Sequence, residues 1–177
     1  PEFISKMMEN KWLGSKSGQG FYKKEGKEIL TLDLDTLEYR SAKKASFATL
    51  ELTKTIDKPI NRFKVLITGK DKAGEFYRKD FGGMFAYVAN RIPEISDDVY
   101  KIDDAMKAGF GWENGPFEIW DAVGVEKGIE LIKALGQEPA PWVNEMLASG
   151  NKSFYSVKEG ATYYYDIASK SQKKIPG

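Results

Sequence analysis

The chain has 177 residues, 41% of them hydrophobic and 30% charged, which is the composition of a folded globular protein rather than a disordered one. Its 27 basic and 26 acidic side chains leave a formal net charge of +1, so no basic surface for nucleic acid is expected. It has no Cys and no His, which excludes disulfides, thiolate nucleophiles, His-ligated zinc and His-based acid–base catalysis.

The sequence also predicts where the protein is found. No apolar run approaches the ~20 residues of a membrane span, so no membrane partner is expected. Residues 1–10 lack the charged start and apolar stretch of a signal peptide, and we therefore expect a cytoplasmic location. A first residue of Pro rather than Met suggests a fragment of a longer protein.

The first 44 residues predict a helix followed by a small antiparallel hairpin. Apolar residues at helical spacing favour a helix over residues 2–10, which the glycine-rich residues 14–20 end. A short strand at 21–23, a turn at 25–27 and an alternating strand over 29–39, with a possible second turn at Asp35 and Thr36, complete the segment.

From residue 45 the apolar spacing changes to the helical period of 3.6. It predicts two helices separated near Pro59, the second ending at Gly69, and then a long helix over 75–100 that Pro93 kinks or divides. Gly82 and Gly83 in this helix would let another backbone approach closely. Further helices are predicted at 102–108, 116–123, 125–135 and 139–148, and a hairpin at 153–167.

The same order of features occurs twice along the chain. A Pro-started helix that ends in Met, a Gly-containing loop, a Phe-Tyr pair and a Glu-Gly turn follow one another in residues 1–26 and again in 139–160. We therefore predict that residues 1–44 are the tail of one repeat and that residues 45–177 are a whole second repeat. Chance similarity of two helix-to-hairpin junctions is the alternative.

Three acidic pairs are candidates for chemistry. Glu118 and Asp121 are either an acid pair for catalysis or a surface or capping pair, and the latter is favoured because no neighbouring group in the sequence separates their pKa values. Asp103 and Asp104, like the pair at 97–98, lack the spacing of a calcium loop, so compensation of a helix dipole is favoured over a metal site.

Ligand-binding motifs are sparse. Residues 16–20 lack the strand and the final Gly-Lys-Ser/Thr of a phosphate loop, and no strand-to-helix G-x-G-x-x-G for a nicotinamide cofactor is present. Lys170, Lys173 and Lys174 either meet coenzyme A phosphates or form a solvated tail, the latter being favoured. Asn90, late in an apolar helix, is a candidate substrate contact, although a buried amide that fixes helix packing is the favoured interpretation.

Several segments of the sequence resemble sequences of one enzyme family. LGSKSGQGFY at 13–22 is similar to the end of the first C-terminal repeat of 3-hydroxyacyl-CoA dehydrogenases, and ANRIPEISDDVYKIDDAMKAGFGWENGPFEIWDAVGV at 89–125 resembles their second repeat. The likeness is strongest to the long two-repeat forms that are fused to an enoyl-CoA hydratase, and residues 174–177 look like the junction before that module.

The resemblance implies a mainly α fold like the C-terminal domain of 6-phosphogluconate dehydrogenase, with short β-hairpins. It implies that the full-length enzyme oxidises 3-hydroxyacyl-CoA to 3-oxoacyl-CoA with NAD bound by an N-terminal Rossmann domain. The present chain would provide cleft wall and interdomain or subunit contacts, including a possible homo-oligomer, and would hold no catalytic, cofactor or metal residue. Asn90 matches the family's substrate-contacting Asn only as its second-repeat counterpart.

Two other functions stay open at the level of sequence. The first is a helical binding or scaffold module that reuses the fold without catalysis. The second is another reductase with the same helical domain and a different acyl or sugar substrate.

Overall fold

The structure is a computed structural model that describes residues 1–176. These residues divide into two compact units, with the division between Ala45 and Ser46. The boundary lies one residue from the predicted division, while the assignment of the two units to sequence repeats stays a prediction. None of the helices in residues 1–176 combines the length and apolar character needed to cross a membrane.

The first unit is a helix followed by a three-stranded antiparallel sheet. Its elements are α1 (Glu2–Glu9), β1 (Tyr22–Glu25), β2 (Glu28–Leu32) and β3 (Tyr39–Ser41), and the strands pair in this order. A short 3₁₀ turn at Ser15–Ser17 connects the helix to the sheet. The positive φ angles of Gly14 and Gly18, 122° and 83°, explain why glycine ends this connection on both sides.

The strand predicted over residues 29–39 is shorter in the structure, because β2 ends at Leu32 and Asp33 begins a turn. Its carboxylate accepts hydrogen bonds from the backbone amides of Asp35 and Thr36 at 3.1 and 3.2 Å, and closes a turn. The same carboxylate pairs with the Nε of Arg40 at 2.9 Å, which brings β3 back beside β2. The suspected turn at residues 35–36 is thus confirmed.

The second unit contains seven helices and a second three-stranded antiparallel sheet within the described residues. The helices are α2 (Ala48–Thr53), α3 (Pro59–Thr68), α4 (Lys72–Asn90), α5 (Val99–Phe110), α6 (Pro116–Val123), α7 (Val125–Ala134) and α8 (Pro141–Ala148). The strands are β4 (Tyr155–Lys158), β5 (Ala161–Asp166) and β6 (Ser171–Lys174), paired in this order. The predicted mainly helical fold with small antiparallel sheets is confirmed.

The long helix predicted over residues 75–100 is divided at the position of Pro93. α4 ends at Asn90, and α5 begins at Val99 rather than at the predicted residue 102. Proline explains the division because it has no amide hydrogen for the helical ladder. Two members of the predicted apolar stripe, Phe76 and Ile95, are 61% and 68% exposed, so the stripe is narrower than its spacing indicates.

The core of the second unit surrounds α4 and α6. The ring of Phe85 stacks on Trp120 with 4.8 Å between ring centroids, and Phe117 and Phe154 pack edge-on at 5.0 Å, as do Trp120 and Phe154. All four side chains are fully buried. Aromatic contacts of this kind add stability beyond the area that they bury, so the helices and the sheet share one packed centre.

α4 and α7 approach each other closely at Gly82. A Cβ atom added to Gly82 would lie 2.9 Å from the carbonyl oxygen of Leu131 in α7, closer than a real Cβ comes to another backbone. A Cβ added to Gly83 would meet no atom within 4 Å. The predicted close backbone approach is therefore confirmed for Gly82 and wrong for Gly83.

We predict opposite effects for Ala at these two neighbouring positions. Gly82→Ala forces α4 and α7 apart and should lower the free energy of unfolding by about 1–3 kcal/mol. Gly83→Ala, the matched control, meets open space and should raise it by roughly 0.5–1 kcal/mol through helix propensity. Urea unfolding of both variants checks this, and equal effects at the two positions would contradict the packing.

Candidate functional site

The N-terminus of α6 is bound by two carboxylates, those of Asp103 and Glu118. The backbone amides of Phe117 and Glu118 donate to the two carboxylate oxygens of Asp103 at 2.9 and 3.0 Å. The Glu118 carboxylate turns back and accepts from the backbone amide of Gly115 at 2.8 Å. Three amide groups at the start of the helix, which have no partner within it, are thereby satisfied.

Asp103 provides this cap from the middle of α5 and is only 1% exposed. The predicted compensation of a helix dipole in the first turn of their own helix is wrong for Asp103 and Asp104, because α5 begins at Val99 and has no acidic residue in its first turn. Asp103 instead caps the next helix, α6. Gly115 makes the contact possible, since a Cβ at that position would collide with the Asp103 side chain. Asp104 is exposed and pairs with Lys107 at 3.3 Å.

A second carboxylate, Asp121, attaches the sheet to α6. It accepts from the backbone amides of Phe154 and Tyr155, each at 2.8 Å. The hydroxyl of Tyr155 continues to Asp103, donating at 2.8 Å. Asp103, Asp121 and Tyr155, together with the α6 amides that they bind, form a group of contacts that we call the carboxylate cluster.

Burial dominates the electrostatics of the carboxylate cluster. It raises the pKa of Asp103 to about 7, although the hydrogen bonds from Phe117, Tyr155 and Glu118 act in the opposite direction. Burial likewise raises the pKa of Asp121 to about 7, and the nearby charge of Asp103 adds to the rise. The pKa of the Tyr155 hydroxyl is also raised, first by burial and then by Asp103.

The favoured interpretation of Glu118 and Asp121 as a surface or capping pair is half right. Glu118 caps α6 and also pairs with the Nζ of Lys107 at 2.8 Å. Asp121 is partly buried and is not a helix cap, because it accepts the backbone amides of Phe154 and Tyr155, 33 and 34 residues further along the chain. Sequence reasoning missed Tyr155, whose only local signal is its place directly after Phe154 in the repeated Phe-Tyr pair.

The predicted solvated tail at the C-terminal lysines is wrong. Lys173 and Lys174 belong to β6, and the Nζ of Lys173 pairs with the buried Asp166 at 2.8 Å. Lys170 pairs with Glu145 at 2.8 Å. A role for these side chains toward phosphates stays a prediction.

Asn90 does not fix helix packing as a buried amide. It is exposed at the last position of α4, and its Nδ2 donates to the carbonyl oxygen of Ala86 at 2.8 Å. The next residue, Arg91, pairs with Glu94 at 2.7 Å. A contact between Asn90 and substrate stays a prediction.

The two larger cavities on the second unit each include residues of α6 in their lining. One, of about 480 Å³, lies beside the carboxylate cluster; its lining includes Asp104, Lys107, Glu118, Asp121 and Tyr155. Three carboxylates against one ammonium make it a poor host for phosphates. No group of three or more carboxylates within residues 1–176 is arranged to hold a metal ion.

The other cavity, of about 390 Å³, is mostly apolar and lies among α3, α4 and α6. Its apolar lining is Pro59, Phe63, Phe81, Met84, Trp112 and Ile119. Asp80, Glu113 and Asn114 supply the polar groups. This surface suits an apolar ligand or side chain better than a phosphate.

Sequence comparison identifies the family to which this architecture belongs. Residues 81–164, from the middle of α4 to β5, match the family model described as the 3-hydroxyacyl-CoA dehydrogenase C-terminal domain. This match assigns residues 81–164, just under half of the chain, to that family. The matched region of the 3-hydroxyacyl-CoA dehydrogenase C-terminal domain contains Asn90 and every member of the carboxylate cluster.

Relatives of this domain are much longer proteins. A Bacillus subtilis protein, named as a probable 3-hydroxyacyl-CoA dehydrogenase, is 44% identical over 166 residues, which are 94% of this chain and 21% of that protein. A Rickettsia felis protein, named as a putative fatty acid oxidation complex trifunctional enzyme, is 27% identical over 96% of this chain and 22% of its own length. The chain thus spans about a fifth of these curated relatives. No solved structure matches it significantly.

The raised pKa values predict how stability depends on pH. Asp103 and Asp121 titrate at about 7 in the folded protein and near 4 when unfolded. Between these values the folded state binds more protons, so the free energy of unfolding should fall as pH rises from 5 to 7 and then level off. The carboxylates of Asp33 and Asp71, with pKa values lowered to about 2 by hydrogen bonds from Arg40 and Thr49 respectively, contribute no slope above pH 5.

Urea unfolding at pH 5, 6, 7 and 8 measures this slope. Asp103→Asn removes one of the two titrating groups and should make the fall shallower. Asp104→Asn changes the exposed neighbour and is the matched control, with a slope like that of the unchanged chain. Stability that stays constant or rises from pH 5 to 7 would contradict the raised pKa values.

Proposed function

We propose that this chain is the helical C-terminal or central portion of an NAD-dependent 3-hydroxyacyl-CoA dehydrogenase of the fatty acid β-oxidation type. The family match over residues 81–164 and the 44% identity to the Bacillus subtilis relative carry this proposal. The whole enzyme would transfer hydride from 3-hydroxyacyl-CoA to NAD and form 3-oxoacyl-CoA.

Within that enzyme this portion would supply architecture rather than chemistry. The two carboxylates with pKa values near neutrality resemble acid–base groups, but each accepts two backbone amides, and Asp103 also accepts the Tyr155 hydroxyl. A general base must reach the proton that it abstracts, and Asp103 is closed to solvent. The chain also has no His to act instead.

The complete enzyme would contain further modules that contact this portion. An N-terminal Rossmann domain would bind NAD, and an enoyl-CoA hydratase module would follow in the same cytoplasmic polypeptide. The apolar cavity lined by Phe63, Phe81 and Met84 supports a role as cleft wall, since these side chains offer apolar contact to an acyl group. Asn90 would contact the substrate. This portion would also form subunit contacts in a homo-oligomer.

A scaffold module without catalysis is the competing function, and the engaged carboxylates suit it equally well. The two functions differ in the activity of the longer polypeptide. If this chain is a scaffold module, the longer polypeptide should not act on acyl-CoA. If it is a dehydrogenase portion, the longer polypeptide should be active.

We predict that the 177-residue chain is catalytically silent while the natural polypeptide that contains it is active. NADH oxidation with acetoacetyl-CoA as substrate measures both. The 177-residue chain should give no rate above a blank without protein, because it lacks His and a nucleotide-binding loop. Turnover by the chain alone would contradict the assignment of architecture, and a silent long polypeptide would favour the scaffold.

A further inference from the structure

Each of the two sheets contains the same backbone hydrogen bond at an equivalent position. In the first sheet the amide of Leu32 donates to the carbonyl oxygen of Phe21 at 2.8 Å, and in the second the amide of Tyr165 donates to that of Phe154, also at 2.8 Å. Phe154 follows Phe21 by 133 residues, and Tyr165 follows Leu32 by the same number. β1 and β2 therefore correspond to β4 and β5 position by position.

The ends of β2 and β5, the second strands of the two sheets, also correspond to each other. Asp33 follows β2 and pairs with Arg40 at 2.9 Å, while Asp166 ends β5 and pairs with Lys173 at 2.8 Å. Each of these carboxylates also accepts a backbone amide of the turn that follows it. Chance similarity of two hairpins does not require the same acid and base at the same places, so the structure supports an internal repeat.

The two sheets differ in what covers them. In the second unit Phe154 is fully buried and Tyr155 is partly buried, because α5 and α6 lie over them and supply Asp103 and Asp121. In the first unit the corresponding Phe21 and Tyr22 are 49% and 65% exposed. The same Phe-Tyr pair is thus covered in one sheet and open in the other.

The open face is a groove rather than a flat surface. It encloses about 500 Å³, and its lining includes Tyr22, Lys24 and Ile29. In the second unit the counterparts of Tyr22 and Ile29, Tyr155 and Thr162, line the cavity beside the carboxylate cluster. Both grooves therefore lie on the same face of their sheets.

We propose that this groove docks a helix pair built like α5 and α6, supplied by a stretch of the same polypeptide outside these 177 residues. One carboxylate of that pair, placed like Asp121, accepts the backbone amides of Phe21 and Tyr22. A second, placed like Asp103, accepts the Tyr22 hydroxyl. Carboxylates bound to several donors are among the stronger polar contacts in proteins.

The position and charge of the groove argue for this occupant. In the second unit the covering helices precede their sheet in the chain, and the curated relatives are about five times longer than this chain, which leaves room for such a segment. The groove also contains Lys24 where the second sheet has Val157, and an ammonium group favours an acidic partner. The inference depends on the internal repeat and not on the reaction proposed above.

Hydrogen exchange followed by mass spectrometry tests the docking. Segments 20–24 and 153–157 are compared in the 177-residue chain and in the natural polypeptide that contains it. In the shorter chain segment 20–24 should exchange much faster than segment 153–157, because only the sheet pairing of β1 protects it. In the longer polypeptide segment 20–24 should slow by at least about 100-fold, toward the rate of its counterpart.

Variants identify the hydroxyl contact. Tyr22→Phe in the longer polypeptide should speed exchange of segment 20–24, whereas Tyr87→Phe, which changes a side chain that is 63% exposed on α4, should not. Equal exchange of segment 20–24 in both polypeptides would overturn the docking. Protection in the shorter chain that grows with its concentration would overturn it too, because a second copy would then be the occupant. Neither outcome depends on enzyme activity, so failure here is distinguishable from failure of the proposed function.

Discussion

The fold of the second unit depends on one buried carboxylate. Asp103 projects from α5, caps the first amides of α6 and accepts the hydroxyl of Tyr155 from β4, so a single side chain joins two consecutive helices to a strand 52 residues away. An ionised group with 1% exposure would be destabilising if left alone, and its three donors offset that cost. Asp121 repeats the arrangement with two amides of the sheet.

A raised pKa in a buried acid is often taken as a sign of catalysis, and here it has another cause. Desolvation is the largest influence on the pKa of both acids, and their oxygens accept backbone amides rather than facing a partner base. The same contacts that would obstruct chemistry give the sheet a fixed attachment. These contacts lie within residues 81–164, the region that matches the 3-hydroxyacyl-CoA dehydrogenase C-terminal domain.

Local signals predict the elements well and long-range contacts poorly. The bounds of α6 at residues 116–123 are readable because Pro116 and Gly124 mark its ends within the sequence itself. The partners of Asp103 lie 14 and 52 residues away, and no periodicity reveals them. β6 escapes prediction because a lysine-rich strand has the composition of a solvated tail until its neighbour supplies Asp166. The burial of Asp121, and hence its pKa, likewise depends on packing rather than on neighbouring residues in the sequence.

The central claim is that the carboxylate cluster maintains structure and performs no chemistry. Comparing the natural polypeptide that contains this chain with its Tyr155→Phe variant tests it directly, by the thermal unfolding midpoint and, for the proposed dehydrogenase activity, by the turnover rate measured well below that midpoint. Loss of the hydroxyl leaves an oxygen of Asp103 short of a donor, so the variant should lose about 1–3 kcal/mol of stability while its turnover rate stays within about twofold. A turnover rate lowered by about 100-fold or more, together with an unchanged midpoint, would contradict the claim.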